Sequence, residues 1–150
     1  MRTHSPRCVI DTIILRRANA LLTTEPRARS LFVRRVCLLT RIQRGDLLAL
    51  YSQALLKEYA QQVLSPRNDY VRQFLALLTD GRRSLLNWKR HWSGGDREKV
   101  RKCRYPGEDV HVLRTAVCRE GSTIFTEEHR MLVADGRVHR EFSVHIRYLP

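Results

Sequence analysis

Short apolar runs alternate along this chain with longer segments of helical periodicity, and this alternation constrains the fold more than any other feature. The short runs predict buried strands at residues 7–11, 47–51, 85–88 and 123–126, and an apolar–polar alternation predicts a last strand at 142–146. Helical spacing predicts helices at 12–22, 53–64, 69–79, 109–118 and 127–133, with another beginning at Pro26. Strands that alternate with helices favour an α/β fold, a three-layer α/β/α sandwich with a central, largely parallel sheet.

The composition is that of one globular domain spanning residues 1–150. Apolar residues make up 43% and charged residues 29% of the sequence, which excludes a disordered chain. No apolar run approaches the roughly 20 residues that span a bilayer, and no small-residue cleavage site follows the amino-terminal apolar stretch. The four cysteines are widely spaced without a CxxC pair, which favours reduced thiols over a zinc site. We therefore expect a cytoplasmic protein that does not associate with membranes.

The chain is strongly basic, with 28 Lys and Arg against 15 Asp and Glu and a formal net charge of +13. Such a charge attracts polyanions, and arginine, which supplies nearly all of it, suits phosphate and RNA. The alternative is an arginine-rich, solvated surface without such a partner. Residues 80–107 are predicted to form a basic, irregular insertion in which Trp88 and Trp92 offer stacking surfaces to RNA, or which a protein partner covers.

Four acidic residues in this basic chain are predicted to converge: Asp11, Glu58, Asp109 and Glu128. Asp11 directly follows the first strand, Glu128 follows the fourth strand by two residues, and Asp109 lies in the first turn of its helix. Because ligands bind beyond the carboxyl ends of parallel strands, we expect these side chains at one rim of the sheet. Clustered carboxylates suit a hard divalent cation such as Mg²⁺. Each acid also has a structural interpretation, as a helix cap, a helix-dipole partner or a solvent-facing side chain.

Four stretches of the sequence resemble motifs of the PIN domain, the nuclease domain of VapC-type toxins. They are V-I-D-T (9–12), similar to the family's D-T-N; L-L-K-E-Y (55–59), similar to L-x-x-E; E-D-V-H-V-L-R-T-A (108–116), similar to D-x-x-x-L-x-x-A; and T-E-E-H-R-M (126–131), similar to T-x-D-x-x-L. Together they cover most of the chain in the family's order. The resemblance implies that the four acids named above are the metal-binding and catalytic residues.

This resemblance also implies an activity, the Mg²⁺- or Mn²⁺-dependent hydrolysis of RNA phosphodiester bonds by the toxin of a toxin–antitoxin pair. The partners that it implies are RNA, an antitoxin protein, and further copies of the chain in a homodimer or higher oligomer. Two positions depart from the family pattern: Ile13 replaces an Asn, and Glu128 replaces an Asp, with Glu127 competing for that fourth site. The departures favour an alternative, a catalytically weakened PIN-like protein that acts as an RNA-binding or protein-interaction module.

Overall fold

The structure of this protein, a computed structural model, describes residues 4–150, and its centre is a sheet of five parallel strands. The strand order is β3-β2-β1-β4-β5, and every neighbouring pair is parallel, which confirms the sheet predicted from the sequence. The strands are β1 (Arg7–Ile10), β2 (Leu48–Tyr51), β3 (Ser84–Leu86), β4 (Thr123–Phe125) and β5 (His145–Arg147).

Helices flank the sheet on both sides, so the predicted three-layer α/β/α architecture is confirmed. Within residues 4–150 they are α1 (Thr12–Ala18), α2 (Pro26–Gln43), α3 (Gln53–Gln62), α4 (Asp69–Leu77), α5 (Gly94–Lys102), α6 (Val110–Ala116), α7 (His129–Leu132) and α8 (Asp135–Phe142). A single 3-10 turn, Gly107–Asp109, leads directly into α6. None of these helices, in the part of the chain that the structure describes, is long and apolar enough to cross a membrane.

Strand β1 is the central strand and is buried on both faces, which explains its unbroken apolar sequence. Cys8, Val9 and Ile10 are all almost completely inaccessible to solvent. Strands covered by helices on both sides are typically continuous hydrophobic runs rather than alternating ones. The register pairs Ile10 with Phe125 of β4, so the chain leaves both strands at the same edge of the sheet. Asp11 and Thr126, the next residues, therefore lie side by side at that edge.

Helix α1 ends at Ala18, four residues before the predicted end at 22. The reason is a tertiary contact that the local sequence does not show. The Asn68 side chain donates hydrogen bonds to the carbonyl oxygens of Ala18 and Ala20, at 2.7 and 3.0 Å. These bonds satisfy carbonyl groups that a longer helix would have used internally. Leu21 and Leu22, which continue the apolar spacing, are instead exposed.

The prediction of an irregular insertion at 80–107 is wrong, because the segment contains the well-capped helix α5. The strand predicted within it at 85–88 is present as β3, at Ser84–Leu86. The Ser93 hydroxyl accepts from the Asp96 amide at 3.0 Å, and the Asp96 carboxylate accepts from the Ser93 amide at 3.0 Å. This reciprocal capping box starts the helix in spite of two glycines in its first turn. Val100 of α5 is buried in the main core, so the segment is part of the domain rather than an appendage.

The predicted final strand at 142–146 is also wrong in its start, because Phe142 is the last residue of α8. Ala134 and Val138 are buried at helical spacing, and Phe142 continues that face and packs against the core. Ser143 then adopts a left-handed backbone conformation, with φ 57°, and ends the helix. Strand β5 begins only at His145. The apolar–polar alternation of 142–146 thus belongs to two elements, one on each side of a turn.

Candidate metal-binding pocket

One pocket of about 310 Å³ brings the four predicted site residues together. It opens at the carboxyl end of β1, where α1 and α3 lie beside the start of α6. Asp11, Glu58, Asp109 and Glu128 all line it, although they come from sequence positions far apart. The expectation that distant acids meet at one rim of the sheet therefore agrees with the structure.

Asp11 is the most buried of the four acids, with 4% of its surface exposed. The Thr126 hydroxyl donates a hydrogen bond of 2.6 Å to Asp11 Oδ2, and the Asp11 amide donates to the Phe125 carbonyl at 3.0 Å. Burial raises the pKa of Asp11 to about 6; the Thr126 bond opposes this rise, while the negative charges of Asp109 and Glu58 add to it. Asp11 is thus a firmly oriented carboxylate that forms none of the salt bridges found within residues 4–150.

Asp109 is the last residue of the 3-10 turn and stands directly before α6, where it lines the pocket. The buried Tyr105 fixes its backbone, since the Tyr105 hydroxyl donates to the Asp109 carbonyl at 2.8 Å. Burial raises the pKa of Asp109, and the negative charges of Glu108, Glu58 and Glu128 raise it further. This carboxylate, like Asp11, is destabilised in its ionised form by the other acids around it.

Glu58 differs from these two because it has a basic partner. His111 Nε2 lies 2.6 Å from Glu58 Oε2, and this contact lowers the pKa of Glu58 and raises that of His111. His111 is on α6, two residues after Asp109. One segment of the chain therefore supplies both Asp109 to the pocket and the basic partner of Glu58. A single histidine on a helix carries by itself no sequence signal of such a role. The place of His111 beside Asp109 was the only signal for this pairing.

Glu128, and not its neighbour Glu127, lines the pocket. The Glu127 carboxylate turns away and accepts two hydrogen bonds from Arg35, at 2.7 and 2.8 Å, and one from Arg17 at 3.1 Å. Glu128 instead caps α7, and its amide donates to the Thr126 hydroxyl at 2.9 Å. The competition between the two glutamates that the sequence left open is therefore resolved by geometry.

Comparisons with protein-family models, with curated proteins and with solved structures find no match to this chain. The likeness to PIN domains rests on the four sequence motifs. Any assignment of function must come from the chemistry of the pocket and the charge of the chain.

The donor set of the pocket has the chemistry that a hard divalent cation requires. It consists of carboxylate oxygens, and burial together with the neighbouring acids raises the pKa of Asp11 and Asp109, so a cation there would stabilise their ionised forms. Within residues 4–150, no three His, Cys, Asp or Glu side chains are already gathered into a ligand set. Mutual repulsion opposes such a gathering among carboxylates without a cation. The acids suit Mg²⁺ or Mn²⁺ by their chemistry and by their shared pocket.

The predicted stacking surfaces of Trp88 and Trp92 are occupied by the protein itself. The Arg114 guanidinium lies 3.9 Å from the centre of the Trp88 ring, and Trp92 stacks on Phe142 with ring centres 6.0 Å apart. Arg114 also donates to the Lys89 carbonyl at 2.7 Å. These contacts attach the loop before α5 to α6 and α8, and they leave those ring faces unavailable for bases.

Removing the charge of Asp11 should stabilise the protein in the absence of metal. The raised pKa means that ionised Asp11 costs folding free energy above pH 6, by up to about 3 kcal/mol, and this cost disappears as the pH falls towards 4. Asp11→Asn should therefore raise the melting temperature in EDTA at pH 7.5 but not at pH 4. Asp46→Asn, the same change at an exposed turn, is the matched control. An Asp11→Asn variant less stable than the wild type at pH 7.5 would contradict the destabilisation of the ionised carboxylate by burial and by the neighbouring acids.

Proposed function

We propose that this protein is a metal-dependent endoribonuclease of the PIN type, which hydrolyses RNA phosphodiester bonds with Mg²⁺ or Mn²⁺. We further propose that it acts in the cytoplasm as the toxin of a toxin–antitoxin pair. The observation that carries the proposal is the convergence of four separate acids on one pocket, in a chain whose net charge is +13. A basic protein attracts RNA, and an acidic pocket within it attracts the cation that phosphodiester hydrolysis uses.

Asp11, Glu58, Asp109 and Glu128 would hold the cation. When bound there, a divalent ion would supply an acidified water molecule and positive charge opposite the phosphate. Thr126 keeps Asp11 in place through its hydrogen bond to Oδ2. Such outer hydrogen bonds orient the ligands of metal sites and typically matter for affinity by about 10- to 100-fold.

The backbone on which the acids stand is also held rigidly. The buried Tyr59 hydroxyl donates to the carbonyl of Ile10, directly before Asp11, at 2.5 Å. Tyr105 does the same for Asp109. Ser52, buried at the end of β2, caps α3 by accepting from the Leu55 amide at 3.2 Å, which sets the position of the helix that carries Glu58. A site supported on strand ends and capped helices is suited to precise placement of a ligand set.

Ile13 places an apolar side chain in the wall of the pocket, at the position where the PIN motif has an Asn. It lines the pocket and packs partly against the core. No side-chain hydrogen bond to water or phosphate is available from an isoleucine, so orientation of the substrate must come from other residues. This departure bears on the rate of the reaction more than on the presence of the site.

Nucleic-acid binding by this protein should weaken steeply with salt. Arginine contacts to phosphate release counterions, so affinity for a single-stranded RNA should fall by at least about tenfold between about 50 and 200 mM NaCl. Fluorescence anisotropy with a labelled RNA, in EDTA to prevent cleavage, measures this directly. Affinity that is independent of salt would remove the basic surface from the proposal.

A second candidate function, a protein-interaction module, is favoured by a groove between α2, the segment that follows α1, and the start of α4. This groove, of about 780 Å³, runs along α2 and has an apolar floor that includes Phe32, Val33 and Val36. Arg29, Arg41 and Arg44 also line it, whereas none of its lining residues within 4–150 is acidic. An acidic amphipathic segment, such as an antitoxin would supply, matches both properties. A second copy of this basic chain would bring like charges together.

The test that separates the two candidates is cleavage. Purified protein incubated with single-stranded or structured RNA should cleave it in the presence of Mg²⁺ or Mn²⁺ and spare it in EDTA. If well-folded protein cleaves no RNA, the nuclease function is excluded and the protein-interaction module is favoured. Cleavage that persists in EDTA would exclude the metal mechanism.

A further inference from the structure

The outer part of the pocket has a different chemistry from its acidic inner part. Arg16 of α1 and Gln61 and Gln62 of α3 line it there. Arg16 lies one helical turn beyond Thr12, and the two glutamines lie one turn beyond Glu58. Because α1 and α3 pack against each other, their outer turns face the same opening. The pocket therefore changes from carboxylates to a guanidinium and amides over about 6 Å, the rise of one helical turn.

Arg16 is the one Lys or Arg among the lining residues of this pocket, within residues 4–150. Its side chain is exposed, and it forms none of the salt bridges found in that part of the chain. Its neighbour Arg17, in contrast, bonds to Glu127 at 3.1 Å. An arginine beside several carboxylates that pairs with none of them keeps its donors available for an anion from outside.

We propose that Arg16 is a substrate-positioning residue that binds the phosphate next to the scissile one, while Gln61 and Gln62 hydrogen-bond the nucleoside between the two. This inference rests on the proposed nuclease function. One helical turn is comparable to the backbone length of one nucleotide in an extended strand. A phosphate at the acidic inner part, held through the cation, therefore places its neighbour at the guanidinium. Planar guanidinium groups bind phosphate oxygens through two parallel hydrogen bonds.

The consequence is a preference for substrates with at least two phosphates in sequence. An isolated phosphodiester would use only the acidic part of the pocket, and a strand would use both parts. Arg16 would also help to orient the substrate, which Ile13 cannot do because its side chain forms no hydrogen bonds. A different role for Arg16, the neutralisation of the acids, makes the opposite prediction, since it would be indifferent to a second phosphate.

The experiment compares three dinucleotide probes: one without a terminal phosphate, one with a 5′-phosphate and one with a 3′-phosphate. Binding is measured by calorimetry in Ca²⁺, a hard cation used in place of Mg²⁺, and each probe is checked for integrity afterwards. For the wild type, at least one terminal phosphate should tighten binding by about tenfold, as expected of one charge-assisted contact. In Arg16→Ala this gain should fall below about twofold, and Arg16→Lys should recover part of it.

Arg27→Ala is the matched control, because it removes the same charge at an exposed position outside the pocket. It should keep the full gain from the terminal phosphate. Thermal denaturation verifies that each variant is folded, and Arg16→Lys carries the test if Arg16→Ala is not. A gain that is equal in wild type and Arg16 variants, or that Arg27→Ala reduces equally, would overturn the inference.

The outcome for Arg16 is separable from that for the nuclease. The binding measurement requires no cleavage, so a wild type that cleaves RNA but shows the same phosphate gain without Arg16 refutes only the positioning role. A wild type that binds with the Arg16-dependent gain but never cleaves refutes only the catalytic proposal. Wild type that binds none of the probes at millimolar concentration refutes the positioning role directly.

Discussion

Asp11→Asn should lower the rate of metal-dependent RNA cleavage by at least about 100-fold, because loss of a ligand should cost more than loss of its outer hydrogen bonds. Asn keeps the shape of the side chain and can still accept a hydrogen bond from Thr126. It lacks the negative charge with which Asp11 would hold a divalent cation. Single-turnover cleavage of a labelled RNA at saturating Mg²⁺ or Mn²⁺ measures the effect on the chemical step.

RNA binding in EDTA should not weaken with this substitution, since the chain loses a negative charge and retains every arginine. Asp46→Asn provides the matched control, because Asp46 is exposed and lies outside the pocket. It should cleave at the wild-type rate. Full activity in Asp11→Asn would refute the role of the pocket, and an equal loss in Asp46→Asn would show that the effect is not specific to it.

Strands β1, β2 and β4 were predictable because burial between two layers of helices favours short apolar runs bounded by polar residues. β1, β2 and β4 begin and end within about one residue of their predicted limits. The helices α5 and α8 were not predicted from the sequence, for different reasons. Gly94 and Gly95 disguise the capping box of α5, and α8 was hidden because Phe142 fits both a helical and an alternating pattern. Local patterns alone do not decide between such alternatives.

The positions of Asp11, Asp109 and Glu128 were predictable from their place at strand ends and a helix start, since a parallel sheet gathers such positions at one edge. Glu58 lies in the middle of α3, and only the resemblance of L-L-K-E-Y to a PIN motif singled it out. The partners of the acids were not predictable. Arg35 lies more than 90 positions before Glu127, so nothing local reveals that Glu127 is turned away from the pocket. The pairing of His111 with Glu58 likewise depends on how α3 and α6 pack. The sequence indicates which residues reach the rim, whereas tertiary packing determines the direction of each side chain.

Arg35→Met should destabilise the protein by about 3 kcal/mol, because it leaves Glu127 as a nearly buried charge without its main partner. The side chains of Glu127 and Arg35 are only 2% and 11% exposed, and Arg17, at 45%, is too solvated to replace the lost partner fully. For a domain of this size the melting temperature should fall by roughly 6–12 °C at pH 7. Differential scanning calorimetry in EDTA measures the change without any contribution from bound metal.

Two further measurements, the pH dependence of stability and a second substitution, test why Arg35→Met is less stable than the wild type. Burial favours the neutral form of Glu127, but Arg35 and Arg17 outweigh it and lower the pKa of the carboxyl group. A lowered pKa in the folded state stabilises the protein above the unfolded pKa, and this contribution is lost as the pH falls through the folded value. The difference between wild type and Arg35→Met should therefore narrow below about pH 4. The double variant Arg35→Met with Glu127→Gln should recover much of the stability at pH 7, because no uncompensated buried charge remains. A double variant as unstable as Arg35→Met would show that the lost stability comes from packing around the arginine side chain.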